Sequence, residues 1–280
     1  MSTVLHPAGE PAREHSIDAP HPVPRADAVL REQFRAVGVS ARGEMLAAAV
    51  LMLGVTVLMA LYHVNWGSGQ FEMLDMRLPL VGVGLFAPLA VWKNESPSRR
   101  AYLWALPVAR SRNSLARVLG GWTWVMLLCA GLMLWTLGIT LVANGGLGAQ
   151  DAPYGQPWMW LLPFTGATVA YLAGSAIVLA TDHPWRWTAA AVFLFAVLLQ
   201  LAEAMRALWF ERLLGSVVFG RYYGLNTVAT GRVVVRTVAP DGAVDFRMVP
   251  DQQAWVVATL IWGVIALVAV LAAAHRYQES

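Results

Sequence analysis

Charged side chains are scarce in this chain. Asp, Glu, Lys and Arg together make up 13% of its 280 residues, against roughly 25% in a soluble domain. Hydrophobic residues make up 58%, and so large an apolar excess needs lipid to cover it. A soluble globular protein is excluded. The formal net charge is only +3, with no contiguous basic face, so nucleic acid is not among the expected partners. The single lysine, Lys93, follows Ala-Val-Trp. A Gly-x-x-x-x-Gly-Lys-Ser/Thr phosphate loop cannot be built around it, so the chain is no ATPase by itself. The single cysteine, Cys129, can form no internal disulfide and reads as a small core residue within an apolar run. No His-Glu-x-x-His metalloprotease motif is present. Within the apolar runs Asp is absent and Ser175 is the only serine, which removes aspartyl and serine proteolysis inside the membrane. The centres of those runs also lack Glu, Lys and Arg, so no proton or sodium relay can be assigned. His6, His15 and His21 lack metal-ligand spacing, and no basic start with an apolar core marks a signal peptide. Residues 1–25, rich in proline, are expected to form a disordered cytoplasmic tail.

What is present is a series of apolar runs. Leu30, Phe34, Val37 and Ala41 share one helical face over residues 26–44, with Arg31, Arg35 and Arg42 off it. This is the pattern of an amphipathic helix lying in the membrane interface, apolar side down among membrane lipid. The expected spans are Met45–His63, Leu78–Trp92, Val118–Ala143, Trp158–Thr181, Trp187–Ala202 and Trp255–Ala274. The second is short for a hydrocarbon core of about 30 Å. The fourth carries Gly166, Ala170 and Gly174 at spacings of four, a stripe that allows close helix packing. Between the fifth and sixth spans lies a segment, 203–254, with short amphipathic helices and a hairpin over Gly231–Val249. Alternating Val244, Phe246 and Met248 and the turn Ala239-Pro240-Asp241-Gly242 mark that hairpin. The fold class is therefore an all-α integral membrane protein: six transmembrane helices, a preceding interfacial helix, and a small extracytoplasmic β-hairpin.

The loop 93–117 fixes the orientation. It carries Lys93, Arg99, Arg100, Arg110, Arg112 and Arg117, and short basic loops stay on the cytoplasmic side. Both termini are then cytoplasmic, in a plasma or bacterial inner membrane. Trp66, Trp158, Trp160 and Trp255 mark one interface, and Trp92, Trp122, Trp124, Trp185 and Trp187 the other.

Within this loop Glu95 is followed by the short amphipathic stretch Tyr102, Leu103, Trp104, Ala105 and Leu106, and then by Leu106-Pro107-Val108-Ala109-Arg110. In content and placement the stretch resembles the cytoplasmic loop of ABC-transporter permeases of the type-2 exporter class. The likeness extends in architecture over residues 26–280. It departs at Ser96-Pro97-Ser98-Arg99-Arg100, where that family has a Gly-Thr-Leu/Ser-like run. The resemblance implies a permease subunit without enzymatic activity, exporting or flipping a hydrophobic or amphipathic compound. It implies a homodimer or pairing with a second permease, and a separate ABC ATPase subunit that holds ATP and Mg. No cofactor is then expected in this chain. In that reading Tyr102, Leu103, Trp104 and Leu106 anchor the ATPase, Arg99 and Arg100 steer it, and Pro107 stiffens the link to the third span. The alternative is a membrane scaffold or assembly factor that uses the outer hairpin to bind an envelope partner. A membrane enzyme is disfavoured by the absence of an acid/base pair or metal cluster.

Overall fold

In the computed structural model the described residues are 26–66, 75–93, 110–144, 156–190, 193–194, 197, 215–238 and 244–279. The first helix, α1 (Ala26–Trp66), runs for 41 residues without a break. No proline occurs in it, and its glycines are isolated among Ala, Leu, Met, Arg and Glu, so helix propensity is interrupted only weakly. At 1.5 Å per residue it is about 62 Å long, twice the hydrocarbon core.

The segment 26–44, expected as an interfacial helix, is continuous with the first span in α1, and part of its apolar stripe is covered by protein, while Leu30 stays exposed. Val37 and Ala41 have no exposed surface, and Phe34 stacks on Trp124 with ring centroids 4.9 Å apart. The Trp124 indole N–H donates to the Phe34 carbonyl at 3.1 Å. A Cβ at Gly38 would lie 2.8 Å from the same indole. Arg31, Arg35 and Arg42 are exposed. The partner helix is α3 (Arg110–Asn144), which begins eight residues before the expected Val118 (118 − 110) and meets the stripe at Phe34 through Gly120 and Trp124.

α2 (Arg77–Trp92) contains Pro88 and spans only 16 residues. A five-residue 3-10 turn, Pro157–Leu161, opens with proline and leads into α4 (Leu162–Ala180). α4 is the centre of the bundle: nine of its 19 residues are buried, Leu162, Ala167, Tyr171 and Ser175 completely. It meets α2 at van der Waals distance because both sides carry glycine. A Cβ on Gly84 would collide with the Ala167 carbonyl, and one on Gly174 with that of Leu85. Gly166 faces Val81, and Ala170 is half-buried. Tyr171, fully buried, donates from its hydroxyl to the Val118 carbonyl at 2.9 Å and joins α4 to α3.

Beyond α4, residues 184–190 are helical, and the expected fifth span lies in part outside the described residues. α5 (Leu225–Thr230) is a short helix closed by Gly231 at φ 65°, a left-handed position that favours glycine. The chain then forms an antiparallel pair, β1 (Arg232–Val238) and β2 (Val244–Pro250), with Arg232 opposite Pro250 and Val238 opposite Val244. The hairpin is present with this register, while the expected turn 239–243 falls outside the described residues. α6 (Gln252–Glu279) follows and packs on α4. Among the described residues, then, four helices are long and apolar enough to cross a membrane, within α1, α3, α4 and α6, and α2 is a shorter apolar helix.

Candidate functional site

α1 and α2 diverge along part of their length and leave a lateral groove of about 630 Å³. The α2 wall is a helical stripe, with Pro79, Gly82, Phe86 and Lys93 recurring at three-, four- and seven-residue spacings. Facing it on α1 are Glu44, Met45, Ala48 and Met52, again on one face. Trp185 closes the side, its ring centroid 6.3 Å from that of Phe86 at an interplanar angle of 50°. Gly82 is open to the groove: a Cβ there would meet nothing within 4 Å.

Among the described residues two charged side chains line this space, and they sit together. Lys93 Nζ donates to Glu44 Oε1 at 2.6 Å. Both remain in part exposed, with side-chain exposures of 65% for Lys93 and 39% for Glu44. The groove is therefore amphipathic lengthwise, apolar along the walls and ionic at one end.

That ionic end lies where α1, α2 and α3 converge. Arg117 of α3 donates to the Val91 carbonyl at 2.7 Å, and its guanidinium lies 4.8 Å from the centre of the Trp92 ring. Ser40 donates to the same Val91 carbonyl at 3.4 Å, and Gln33 to Asn113 at 2.6 Å. Lys93 opens the expected loop 93–117, and Arg110, within that loop, is the first residue of α3. Glu95, Arg99, Arg100, Tyr102, Leu103, Trp104, Leu106, Pro107 and Val108 lie outside the described residues. The structure thus positions both flanks of the expected coupling loop, and the groove reaches one of them.

The opposite end of α2 is held by a polar clamp. The Arg77 guanidinium, only 8% exposed, pairs with both carboxylate oxygens of Asp75 and donates to the Thr230 carbonyl at 2.9 Å. Burial raises the Asp75 carboxyl, but the hydrogen bonds from Arg77 outweigh it and hold the group below its ordinary value. The clamp ties α2 to the α5–β1 corner, where Gly231 lies under the Trp158 ring and Trp158 meets Trp255 at 5.2 Å. At the same corner Asp251, whose amide donates to the Gly231 carbonyl at 3.1 Å, caps α6. It accepts from the Ala254 amide at 3.0 Å and from Arg221 at 2.8 Å, and these bonds lower its carboxyl.

The sequence marked α2 only as a short apolar span, Leu78–Trp92, and did not single out this stripe. The Glu44–Lys93 pair was not legible either, since 49 positions separate its members and no local pattern joins them. No group of three His, Cys, Asp or Glu able to hold a metal occurs among the described residues. Comparisons with family models, with curated proteins and with solved structures give no match for this chain.

Proposed function

We propose that this chain is the membrane-spanning subunit of an ATP-driven exporter that moves a hydrophobic or amphipathic substrate, with a separate ATPase docking on loop 93–117. The observation that carries the reading is the lateral groove, apolar along its walls, whose ionic end lies at the residue where α2 enters that loop. Force applied to the loop acts on α2 through Lys93 and on α3 through Arg110. α2 forms one wall of the groove and α3 backs it through Arg117 and Val91. Tilting α2 would open or narrow the groove without any charge inside the bundle. The absence of acidic residues and lysine from the apolar centres of the helices also supports an external source of energy. Docking would use Tyr102, Leu103, Trp104 and Leu106 as anchors, with Arg99 and Arg100 attracting an acidic partner face.

The test is copurification in mild detergent with an ATPase encoded beside this chain, followed by ATP turnover. Tyr102→Ala combined with Leu106→Ala is expected to abolish both association and stimulated turnover, with the helical circular dichroism unchanged. Retention of both by the double variant would refute the coupling assignment.

A further inference from the structure

The groove between α1 and α2 has a length and a charge arrangement that specify an occupant more narrowly than its apolar character does. From Pro79 to Lys93 the α2 wall rises through 14 residue steps, about 21 Å. One leaflet of a bilayer offers about 15 Å of hydrocarbon. A membrane lipid tail laid along this wall would be covered over its full length. The head end would then lie at Glu44 and Lys93, which carry opposite charges, are 2.6 Å apart and remain accessible.

This pair discriminates among head groups. An anionic head attracted by Lys93 would be repelled by Glu44 at nearly the same distance. A cationic head would meet the reverse. An uncharged head would leave the pair as it is and gain nothing ionic. A zwitterion can set its phosphate against the ammonium of Lys93 and its own ammonium against the Glu44 carboxylate, making two charge-assisted contacts. We infer that the groove holds one zwitterionic membrane phospholipid or a close chemical analogue, tail along Gly82 and Phe86, phosphate at Lys93 and ammonium at Glu44. This deepens the proposed function by naming the substrate class, and rests on it only in treating the occupant as cargo.

The site can be tested apart from transport. Full-length chain, delipidated in detergent, is offered phosphatidylethanolamine, phosphatidylglycerol and diacylglycerol of one acyl composition, and the retained lipid is counted by native mass spectrometry. Retention of phosphatidylethanolamine about tenfold above the other two is expected, in keeping with a net gain from charge-assisted bonds. Glu44→Gln is expected to raise phosphatidylglycerol to the same level. Lys93→Gln is expected to bring both phospholipids down to diacylglycerol. Gly82→Leu fills open space, replaces glycine with a better helix former, and is expected to lower retention of all three with the melting temperature kept or raised. Equal retention of the three lipids would overturn the inference. So would indifference to Gly82→Leu, or loss of self-association in that variant with lipid retention intact, which would assign the groove to a second copy of the chain. The assay contains no ATPase. If the lipid pattern holds and ATP-driven movement fails, the transport reading falls and the site stands; the converse result removes the site alone.

Discussion

Arg77 shows how much a single residue can decide at the edge of an apolar bundle. Its guanidinium is almost fully buried, yet it is satisfied by Asp75 on one side and the Thr230 carbonyl on the other. A buried cation needs that degree of pairing to be tolerated. Removing it by Arg77→Ala would leave Asp75, still half exposed, without its hydrogen-bonded counter-ion and with only the more distant charge of Arg232, and would release the contact between α2 and the α5–β1 corner. We expect a loss of about 2 kcal/mol, below the range for fully buried pairs because water reaches Asp75, read as a lowered melting temperature in detergent. The pH dependence follows from the carboxyl. Asp75 titrates below its reference value of 3.8 in the folded state, so the stabilisation is complete above that value and is lost as the pH falls through the lower folded value. The wild type should therefore lose melting temperature over that acid window more steeply than Arg77→Ala. Parallel curves would remove the clamp from the account.

At the scale of helices, glycine has two roles that look alike in the sequence. Gly84 and Gly174 let α2 and α4 touch backbone to backbone, and a methyl at either position would strike a carbonyl that cannot move aside. Gly54 in α1 and Gly131 in α3 face open space, with nothing within 4 Å of a Cβ. Gly84→Ala and Gly174→Ala should each cost about 1–3 kcal/mol through overpacking. Gly54→Ala and Gly131→Ala should be neutral, or stabilising by up to about 1 kcal/mol through helix propensity. Thermal unfolding followed by circular dichroism would separate the pairs, and similar losses at all four would show that backbone contact is not what α2 and α4 share. The spacing of Gly166, Ala170 and Gly174 suggested a packing stripe. That α2, with Gly84, is the helix lying against it could be read only from the fold.

For the whole molecule, the arrangement has two unlike ends. One gathers Lys93, Glu44, Arg117 and Trp92 around the flanks of the loop; the other gathers the Asp75–Arg77 clamp, the Trp158–Trp255 contact and the hairpin. The basic loop predicts that the first end faces the cytoplasm. Single cysteines at Arg100 and at Asp241, in a Cys129→Ser background, should label from opposite sides in sealed vesicles, Arg100 from the cytoplasmic side. Labelling of both from one side, or of Arg100 from outside, would overturn the orientation and with it the docking of a cytoplasmic ATPase.

The amino-acid sequence by itself determined the solvent of this protein, because transfer free energies add residue by residue. It also marked the hairpin, because alternation and turn residues are local signals. Tertiary structure alone decided which apolar stripes meet protein and which are left for lipid. Leu30, Phe34, Val37 and Ala41 read as a membrane-facing stripe, and protein covers part of it; the span Leu78–Trp92 gave no sign that Pro79, Gly82 and Phe86 would line a groove. A helical face has the same periodicity whether it packs on a neighbour or on an acyl chain. The reach and register of the neighbouring helix therefore decide the outcome, and those depend on residues far away in the chain.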